Sequence, residues 1–460
     1  MDWLNRMKGS GGLSRYEQEY KSKLVKAEDA VKAVKSGDWV AYSHFAMTPQ
    51  ALDQALAGRK DELTGVKIRG VCSINPVQVA LADPEQKHFI YNSGFFSGHD
   101  RKLQDQGLSF HIPGLYAESP VNIREGYAST PDVAMIVTTP MDDSGFFNFG
   151  LSNSYEKALC EKAKTVIVEI NRKTPRSLGG AQEAVHISEV DYIVEGNNEP
   201  FVEIPGHPPA GTDKKIASLI VEEIEDGACL QLGIGGMPNT IGKMLAESDL
   251  KDLGVHSEML CAAFVDLYEA GKITGARKSI DRFKMVFTFA MGNARLYEFI
   301  HNNPACAIYP VDYTNSPAVI SRNDKQIAIN NAIEIDLYGQ VCSESVGTRQ
   351  ISGTGGQFDF TYGAFRSRGG KAFICLSSTR KVKDITVSRI VPTITPGGIV
   401  TLPRTVTPYI VTEYGKVNLK GKSTWQRAEM LISIAHPDFR EDLIKQAEKM
   451  KIWTKSNKIS

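Results

Sequence analysis

Residues 229–247 read CLQLGIGGMPNTIGKMLAE and contain three consecutive segments of different character. Residues 229–232 form a short apolar run with the length of a buried strand. A glycine-rich loop follows, and residues 239–247 are typical of a helix, with Asn239 placed as its N-cap. A buried strand that turns through glycines into a helix is the repeating unit of parallel sheets. This stretch therefore predicts an α/β fold.

The same alternation extends along most of the 460-residue chain. Short apolar runs alternate with helical segments, a pattern typical of a largely parallel sheet that helices cover on both faces. Helices are predicted at residues 27–35, 214–225 and 239–247. Strands are predicted at residues 39–42, 133–137, 166–170, 192–194, 229–232, 285–289, 327–329, 372–376 and 409–412.

The chain is longer than one ordinary domain, and residues 196–212 are rich in Asn, Pro and Gly. We interpret this interval as a linker. It predicts an N-terminal α/β domain at residues 1–205 and a C-terminal α/β domain at residues 206–460. A cleft between two such domains is a common place for a ligand site.

The composition excludes several classes of protein. The chain has 53 basic and 53 acidic side chains, so it lacks the basic excess typical of nucleic-acid binding. No apolar run approaches the ~20 residues that span a bilayer, and residues 1–20 lack the apolar core of a signal peptide. The seven cysteines and nine histidines are scattered without metal-ligand spacing. We expect a cytoplasmic protein with no metal, no nucleic-acid partner and no membrane partner.

The glycine-rich loop Gly233-Ile234-Gly235-Gly236-Met237-Pro238 is the first candidate site. Glycines allow a ligand to approach the backbone closely, and the N–H groups at the start of a helix bind anions or an oxyanion. Pro238 stands where a dinucleotide-binding loop has its third glycine, so the loop is not of that type. A tight turn that binds no ligand is the alternative.

Glu258 is the second candidate. It stands in Gly254-Val255-His256-Ser257-Glu258-Met259, at the expected end of a strand, where open α/β sheets place functional groups. Most glutamates are solvated surface residues, which is the alternative for Glu258. We interpret His256 as a structural hydrogen-bonding residue.

A third cluster lies at residues 351–360, where three glycines in four positions suggest a second close approach of the backbone to a ligand. Asp359 within it is placed to cap or orient a neighbour. Weaker candidates are residues 330–333, which are predicted to be the polar end of a strand, and Lys383, a cation in a polar loop. Turns without a ligand and a solvated lysine are the alternatives.

Taken in order, these motifs resemble those of the acetyl-CoA hydrolase/transferase family, whose CoA-transferases use a catalytic glutamate. The resemblance covers nearly the whole chain. It is carried by VKAVKSGDWV at 31–40, PMD at 140–142, GFFNFG at 145–150, LQLGIGGMPN at 230–239, HSEM at 256–259 and VTEYGKVNLKG at 411–421.

The resemblance implies two open α/β domains of the CoA-transferase type, with mainly parallel sheets and the active site between them. It implies an enzyme that moves CoA between a short-chain acyl-CoA, butyryl-CoA or similar, and a free carboxylate such as acetate. Glu258 matches the glutamate that forms a CoA thioester in a ping-pong reaction. The positions that match CoA-binding residues are Gly233, Ile234, Gly235, Gly236, Met237, Ile333, Gly356 and Lys383.

Coenzyme A is then a co-substrate rather than a tightly bound cofactor, and the family precedent is a homodimer or larger homo-oligomer. We expect the backbone N–H groups of residues 233–237 to stabilise oxyanions. The chain departs from the family around residues 44–47, 74–76 and 93–96. The preferred acid therefore stays open among butyrate, acetate, propionate, 4-hydroxybutyrate and dicarboxylates such as itaconate. An acyl-CoA hydrolase, a non-catalytic CoA-binding protein and a sugar-phosphate isomerase are the alternative functions.

Overall fold

The computed structural model describes residues 16–180, 182–204, 211–233 and 235–454. Two large sheets organise them, one in the N-terminal half (residues 16–204) and one in the C-terminal half (residues 211–454). The mixed α/β architecture with mainly parallel sheets confirms the predicted fold class. Residues 205–210, at the centre of the predicted linker and of the predicted domain boundary, lie outside the described residues.

The sheet of the N-terminal half has seven strands. They are β1 (Trp39–Tyr42), β2 (Val66–Gly70), β3 (Phe89–Ser93), β4 (Phe110–His111), β5 (Val133–Thr138), β6 (Thr165–Ile170) and β7 (Tyr192–Glu195). Their order is β4-β3-β2-β1-β5-β6-β7, and all neighbouring strands are parallel. The chain order reverses at β1, so a crevice opens beyond the carboxyl ends of the central strands.

The sheet of the C-terminal half has eight strands. They are β8 (Cys229–Gln231), β9 (Gly254–His256), β10 (Met285–Phe287), β11 (Cys306–Ile308), β12 (Gln326–Asn331), β13 (Lys371–Cys375), β14 (Tyr409–Thr412) and β15 (Gly415–Asn418). Their order is β11-β10-β9-β8-β12-β13-β14-β15, and only the hairpin of β14 and β15 is antiparallel among them. Here the chain order reverses at β8, which places the loops after β8, β9 and β12 side by side.

Sixteen helices accompany the sheets in the part of the chain that the structure describes. In the N-terminal half they are α1 (Glu17–Lys23), α2 (Ala27–Ala30), α3 (Gln50–Ala57), α4 (Gln78–Ala82), α5 (Gly98–Gln104), α6 (Ser119–Arg124) and α7 (Glu156–Lys162). In the C-terminal half they are α8 (Gly211–Val221), α9 (Gly236–Glu247), α10 (Ala262–Glu269), α11 (Ala294–Ile300), α12 (Val311–Thr314), α13 (Pro317–Ile320), α14 (Gln357–Arg366), α15 (Thr424–Ser433) and α16 (Pro437–Lys449).

Short strand pairs complete the structure. They are Phe146–Asn148 with Ala184–His186, Met259–Leu260 with Phe289–Ala290, Glu334–Asp336 with Val341–Cys342 and Ile390–Val391, Ser345–Val346 with Arg349–Gln350, and Thr379–Val382 with Ile385–Ser388.

Helix α9 begins earlier than the sequence predicts. Gly235 is its N-cap, with φ 121° and ψ 179°, a backbone conformation that favours glycine. Asn239 therefore lies in the first turn, where its N–H donates to the Gly235 carbonyl at 3.1 Å. The predicted role of Asn239 as N-cap is wrong, because the glycine turns the chain into the helix before Asn239 is reached.

One hydrophobic core runs through both halves. It includes Phe149 and Val168 from the N-terminal half and Leu230 and Phe287 from the C-terminal half, all almost fully buried. All seven cysteines are free and buried. None of the described helices is long and apolar enough to cross a membrane.

Candidate active site

A cavity of about 380 Å³ lies where the carboxyl ends of the two sheets face each other. The N-terminal half contributes the loops after β1, β2, β3 and β4 together with helix α6. The C-terminal half contributes the loops after β8, β9 and β10, the end of β12, and Gly355. The walls are mostly apolar. Glu258 and Arg69 are the charged side chains on these walls, among the residues that the structure describes.

Glu258 follows β9 and is fixed by its backbone. Its carbonyl accepts hydrogen bonds from Thr288 N–H at 2.9 Å and Phe289 N–H at 3.3 Å. The Ser257 hydroxyl donates to the Met259 carbonyl at 2.8 Å, which holds the turn on the other side. The chain thus crosses from β9 to the short strand Met259–Leu260 with the Glu258 side chain directed at the cavity. The structure confirms that Glu258 follows the end of a strand.

Two donors hold the Glu258 carboxylate. Asn315 Nδ2 donates to Oε2 at 2.7 Å, and the Gly356 N–H also donates to the carboxylate. Burial raises the pKa of Glu258 to about 7, against the lowering effect of these two hydrogen bonds. A pKa near neutrality leaves a substantial fraction of the carboxylate ionised at physiological pH, which is the form that a nucleophile needs.

Gly356 packs directly against that carboxylate. A Cβ atom at this position would overlap Glu258 Oε2 and would lie 2.5 Å from Asn315 Nδ2. Only glycine therefore allows the backbone N–H to approach the carboxylate here. The glycine cluster at residues 351–360 does make the close approach that the sequence suggests, and the group approached within the protein is Glu258.

Asp359 and Glu258 share the amide of Asn315. Asn315 Nδ2 lies 3.3 Å from Asp359 Oδ2, and Asp359 also accepts a hydrogen bond from Ala117 N–H of the N-terminal half at 3.2 Å. Burial, followed by the negative charge of Glu258, raises the pKa of Asp359 to about 7. Asp359 therefore orients the asparagine that orients Glu258, which confirms that it positions a neighbour.

His256 supports the same arrangement from β9. Its Nε2 donates to the Thr314 carbonyl at 2.8 Å, one residue before Asn315. Burial lowers the pKa of His256 to about 3, so the ring is neutral. This contact agrees with the interpretation of His256 as a structural hydrogen-bonding residue.

Strained backbone shapes the wall from the N-terminal half. Phe45 has φ 54° and Cys72 has φ 49°, a region that L-residues with a Cβ rarely adopt and that often marks functional sites. The Phe45 N–H donates to the Val71 carbonyl and the Cys72 N–H to the Phe95 carbonyl, which holds both residues in place. The Phe45 ring stacks on Phe289 of the C-terminal half with centroids 3.7 Å apart.

Two of the three segments in which the sequence departs from the family line the cavity, and the third does not. Phe45, Gly94 and Phe95 from residues 44–47 and 93–96 line the cavity, whereas no residue from 74–76 does. Acyl selectivity set at residues 44–47 and 93–96 stays a prediction, and the cavity gives it a location.

The glycine-rich loop reaches the cavity through its first residue. Gly233 is on the cavity wall, Gly236 begins α9 and Met237 packs into the core with 5% of its surface exposed. Ile234 lies outside the described residues. Pro238 has no N–H, so the unsatisfied donors of this helix start are those of the residues before it. The backbone donor seen on Glu258 comes from Gly356, and an oxyanion role for residues 233–237 stays a prediction.

Ile333 and Lys383 lie apart from the cavity. Ile333 is partly buried just after β12, with its N–H donating to the Cys342 carbonyl and its carbonyl accepting from Arg389 Nε, both at 2.8 Å. Lys383 is exposed, with φ 54°, in the turn between the strands Thr379–Val382 and Ile385–Ser388. The structure thus brings Glu258, Gly233 and Gly356 together, whereas Ile333 and Lys383 are not on the cavity wall.

Sequence reasoning missed three residues of the site: Asn315, which holds the Glu258 carboxylate, and two residues of the cavity wall. Asn315 lies in a short connection between α12 and α13 that carries no motif. Tyr116, whose hydroxyl lies 2.5 Å from Ser154 Oγ, and Arg69 come from the N-terminal half. No group of three or more His, Cys, Asp or Glu side chains is arranged to hold a metal ion within the described ranges.

Comparison with known proteins gives three concordant findings. Models of the acetyl-CoA hydrolase/transferase N-terminal and C-terminal domains match residues 7–205 and 292–447. The chain is 54% identical over 444 residues to the probable butyrate:acetyl-CoA coenzyme A-transferase of Syntrophomonas wolfei, which covers 96% of this chain and 98% of the relative. It is 54% identical over 445 residues to the butyryl-CoA:acetate CoA-transferase of Anaerostipes caccae, with coverage of 96% and 100%. The crystal structure of RipA from Yersinia pestis matches with a TM-score of 0.86 at 38% identity, over 95% of this chain and 99% of that chain.

Proposed function

Because the chain belongs to the acetyl-CoA hydrolase/transferase family, we propose that it transfers coenzyme A between a short-chain acyl-CoA, such as butyryl-CoA, and a free carboxylate such as acetate. One observation carries the proposal. The Glu258 carboxylate faces an apolar cavity, and two hydrogen-bond donors hold it there. Coenzyme A is the co-substrate of this reaction.

The reaction begins with attack by Glu258. Its carboxylate adds to the thioester carbonyl of the acyl-CoA. The carbon–sulfur bond of the adduct then breaks, so that CoA leaves as the thiolate and an acyl-glutamyl anhydride remains. The thiolate then adds to the glutamyl carbonyl, the carbon–oxygen bond of the anhydride breaks, and the first acid leaves as its carboxylate. The second acid reverses both steps on the glutamyl-CoA thioester. One thioester is consumed and one is formed, so no proton, electron or ATP is required.

Asn315 and Gly356 have a specific part in these steps. When the thiolate attacks the glutamyl carbonyl, the oxyanion that forms is an oxygen of Glu258 itself. Asn315 Nδ2 and the Gly356 N–H already point at this carboxylate. Preorganised donors of this kind contribute about 3 kcal/mol each to the stabilisation of an oxyanion. The apolar walls keep water away from the anhydride and the thioester.

The outer residues suit the long nucleotide arm of CoA. Gly233 lies on the cavity wall close in sequence to the start of α9. The free N–H groups at the start of a helix favour a phosphate. Ile333 and the exposed cation Lys383 would contact the arm farther out on the C-terminal half. We also propose the domain division at residues 205 and 206, a cytoplasmic location and a homo-oligomeric state, on the family precedent.

The test measures transfer and hydrolysis together. The protein is incubated with butyryl-CoA and deuterated acetate, and deuterated acetyl-CoA and free CoA are quantified. We expect deuterated acetyl-CoA in amounts that match the butyryl-CoA lost. Free CoA alone would indicate a hydrolase, and neither product across a panel of acids would indicate a protein that binds CoA without catalysis.

Variants of Glu258 test the mechanism. Glu258→Ala should abolish transfer and the covalent CoA adduct that intact-protein mass detects. Glu258→Asp should transfer CoA much more slowly, because its side chain is one methylene shorter and holds the carboxylate farther from the thioester. Glu334→Gln is the matched control, since Glu334 is a buried glutamate of the same half that bonds to Thr395 away from the cavity. Near-normal transfer by Glu258→Ala would refute the assignment.

A further inference from the structure

Arg69 is a buried cation that forms no ion pair with any carboxylate in the part of the chain that the structure describes. It lies on β2, has 9% of its surface exposed and lines the same cavity as Glu258. Across the described residues, no hydrogen bond or ion pair engages its guanidinium. Its Cζ lies 5.6 Å from the centre of the Trp39 ring, and this cation–π contact uses none of the guanidinium N–H donors in a hydrogen bond.

A buried guanidinium without partners is unfavourable unless a bound ligand pairs with its charge and its N–H groups. An arginine side chain keeps its positive charge in proteins and carries five N–H donors. A buried charge is normally paired or hydrogen-bonded, because water no longer solvates it. Arg389 shows the usual solution in this chain: it is bonded to the Ile333 carbonyl, the Ser377 hydroxyl and the Ala332 carbonyl.

Glu156 is not the counter-ion of Arg69. Glu156 follows Tyr155, which is on the cavity wall, but its Oε1 accepts from the Ser152 hydroxyl at 2.7 Å and lies 3.1 Å from His44 Nδ1. No described carboxylate lies within ion-pair distance of Arg69. Apart from Glu258, the described walls of the cavity that the guanidinium faces are neutral and mostly apolar, with Phe45, Phe289 and Met291 among them.

We propose that Arg69 is a carboxylate-binding subsite of the acyl cavity. A guanidinium matches a carboxylate with two parallel hydrogen bonds, and the apolar surroundings strengthen that pairing. The inference rests on the proposed function, because it assumes that carboxylic acids enter this cavity. The carboxylate has two possible sources: the far end of a dicarboxylic acyl group whose near end reacts with Glu258, or a free acid that binds before it attacks the glutamyl-CoA thioester.

The test compares acids of different type in two variants of Arg69. Arg69→Met removes the charge, and Arg69→Lys keeps it without the paired geometry. Lys67→Met is the matched control, because Lys67 is a cation on the same face of β2 that bonds to the Gly37 carbonyl and lies outside the cavity. Acetate, butyrate, succinate and glutarate are the acceptors, and formation of the enzyme–CoA adduct from butyryl-CoA is measured separately by intact-protein mass.

Each source has its own result. If the far carboxylate of a diacid binds Arg69, Arg69→Met loses about 30-fold in kcat/KM for succinate and glutarate, while acetate and butyrate change by less than about threefold. If the free acid binds there, KM for all four acids rises about tenfold or more, while kcat and adduct formation are unchanged. In either case Arg69→Lys should recover part of the loss, and Lys67→Met should behave like the wild type.

Two results would overturn the subsite. In the first, all four acids stay within about threefold of the wild type in Arg69→Met or, should that variant fail to fold, in Arg69→Lys. In the second, kcat falls equally for every acid together with adduct formation and the melting temperature, which is the signature of a structural role. Absence of the adduct in the wild-type protein would instead contradict the proposed function, so the two failures are distinguishable.

Discussion

Replacing Asn315 by leucine should shift the pH midpoint of the first half-reaction to a higher value. The substitution removes the amide that donates to Glu258 Oε2 at 2.7 Å and keeps a side chain of similar size. Burial raises the pKa of Glu258 to about 7 even though this hydrogen bond lowers it. Loss of the donor should therefore raise the pKa of Glu258 further.

The size of the shift follows from the strength of the bond. A hydrogen bond to a charged group contributes about 1.5–3 kcal/mol, and one pKa unit corresponds to about 1.4 kcal/mol, so the shift is about 1–2 units. About half of the wild-type carboxylate is ionised at pH 7, whereas a pKa of about 8.5 leaves about 3% ionised. The first half-reaction at pH 7 should thus slow roughly 15-fold and recover at alkaline pH.

The assay is a single-turnover measurement between about pH 5.5 and 9.5. Enzyme is mixed with butyryl-CoA, quenched at intervals, and the enzyme–CoA adduct is quantified by intact-protein mass. Asp359→Asn provides the opposite perturbation, because it removes the second carboxylate that contacts the Asn315 amide. It should lower the pH midpoint of adduct formation. Asn323→Leu is the control, since Asn323 is also fully buried and does not contact Glu258. An equal loss of rate at every pH, with an unchanged midpoint in Asn315→Leu, would refute this reasoning.

The same cluster leads to two further predictions. The folded-state pKa of Glu258 is about 7 against an ordinary value of 4.5, so ionisation destabilises the folded protein as pH rises through this window. Glu258→Gln should exceed the wild type in stability by on the order of 3 kcal/mol at pH 8 and by almost nothing near pH 4.5, and equal differences in melting experiments at both pH values would contradict this. Gly356→Ala should lower transfer by roughly 100-fold or more, because the added Cβ displaces Glu258 and Asn315. Gly211→Ala, where a Cβ meets nothing within 4 Å, is its control, and a Gly356→Ala rate within about twofold of the wild type would be incompatible with the geometry.

The strands that the sequence predicts are those buried on both faces. The predictions at residues 39–42 and 409–412 match β1 and β14 at both ends, and β5 and β6 differ from theirs by one residue at one end. Continuous apolar runs identify such strands because neither face meets water. Strand β2 was missed because Lys67 and Arg69 interrupt its apolar pattern, and Arg69 is directed into the cavity. A pattern that fails locally is expected where a strand also forms part of a site.

The site divides in the same way. Glu258 and the glycine clusters are local motifs, and their positions beside strand ends follow from the α/β pattern. Asn315 is 57 residues away from Glu258 in sequence, and only the packing of α12 and α13 brings its amide to the carboxylate. The reason for a glycine at 356 is a steric contact with another segment, which no local pattern reveals. Ile333 and Lys383 are known here by their positions alone, and their contact with CoA stays a prediction.

The C-terminal half supplies the catalytic groups, and the N-terminal half supplies much of the cavity wall. This division affects how such proteins diversify. The nucleophile, its amide donor and the glycine beside it are inherited with the C-terminal half, whereas Phe45, Arg69 and Phe95 are inherited with the N-terminal half. Acid preference can therefore drift between lineages through substitutions that leave the chemistry unaltered. A hybrid gene would take its preference from the parent of its N-terminal half, provided that the stacked rings of Phe45 and Phe289 remain compatible across the junction.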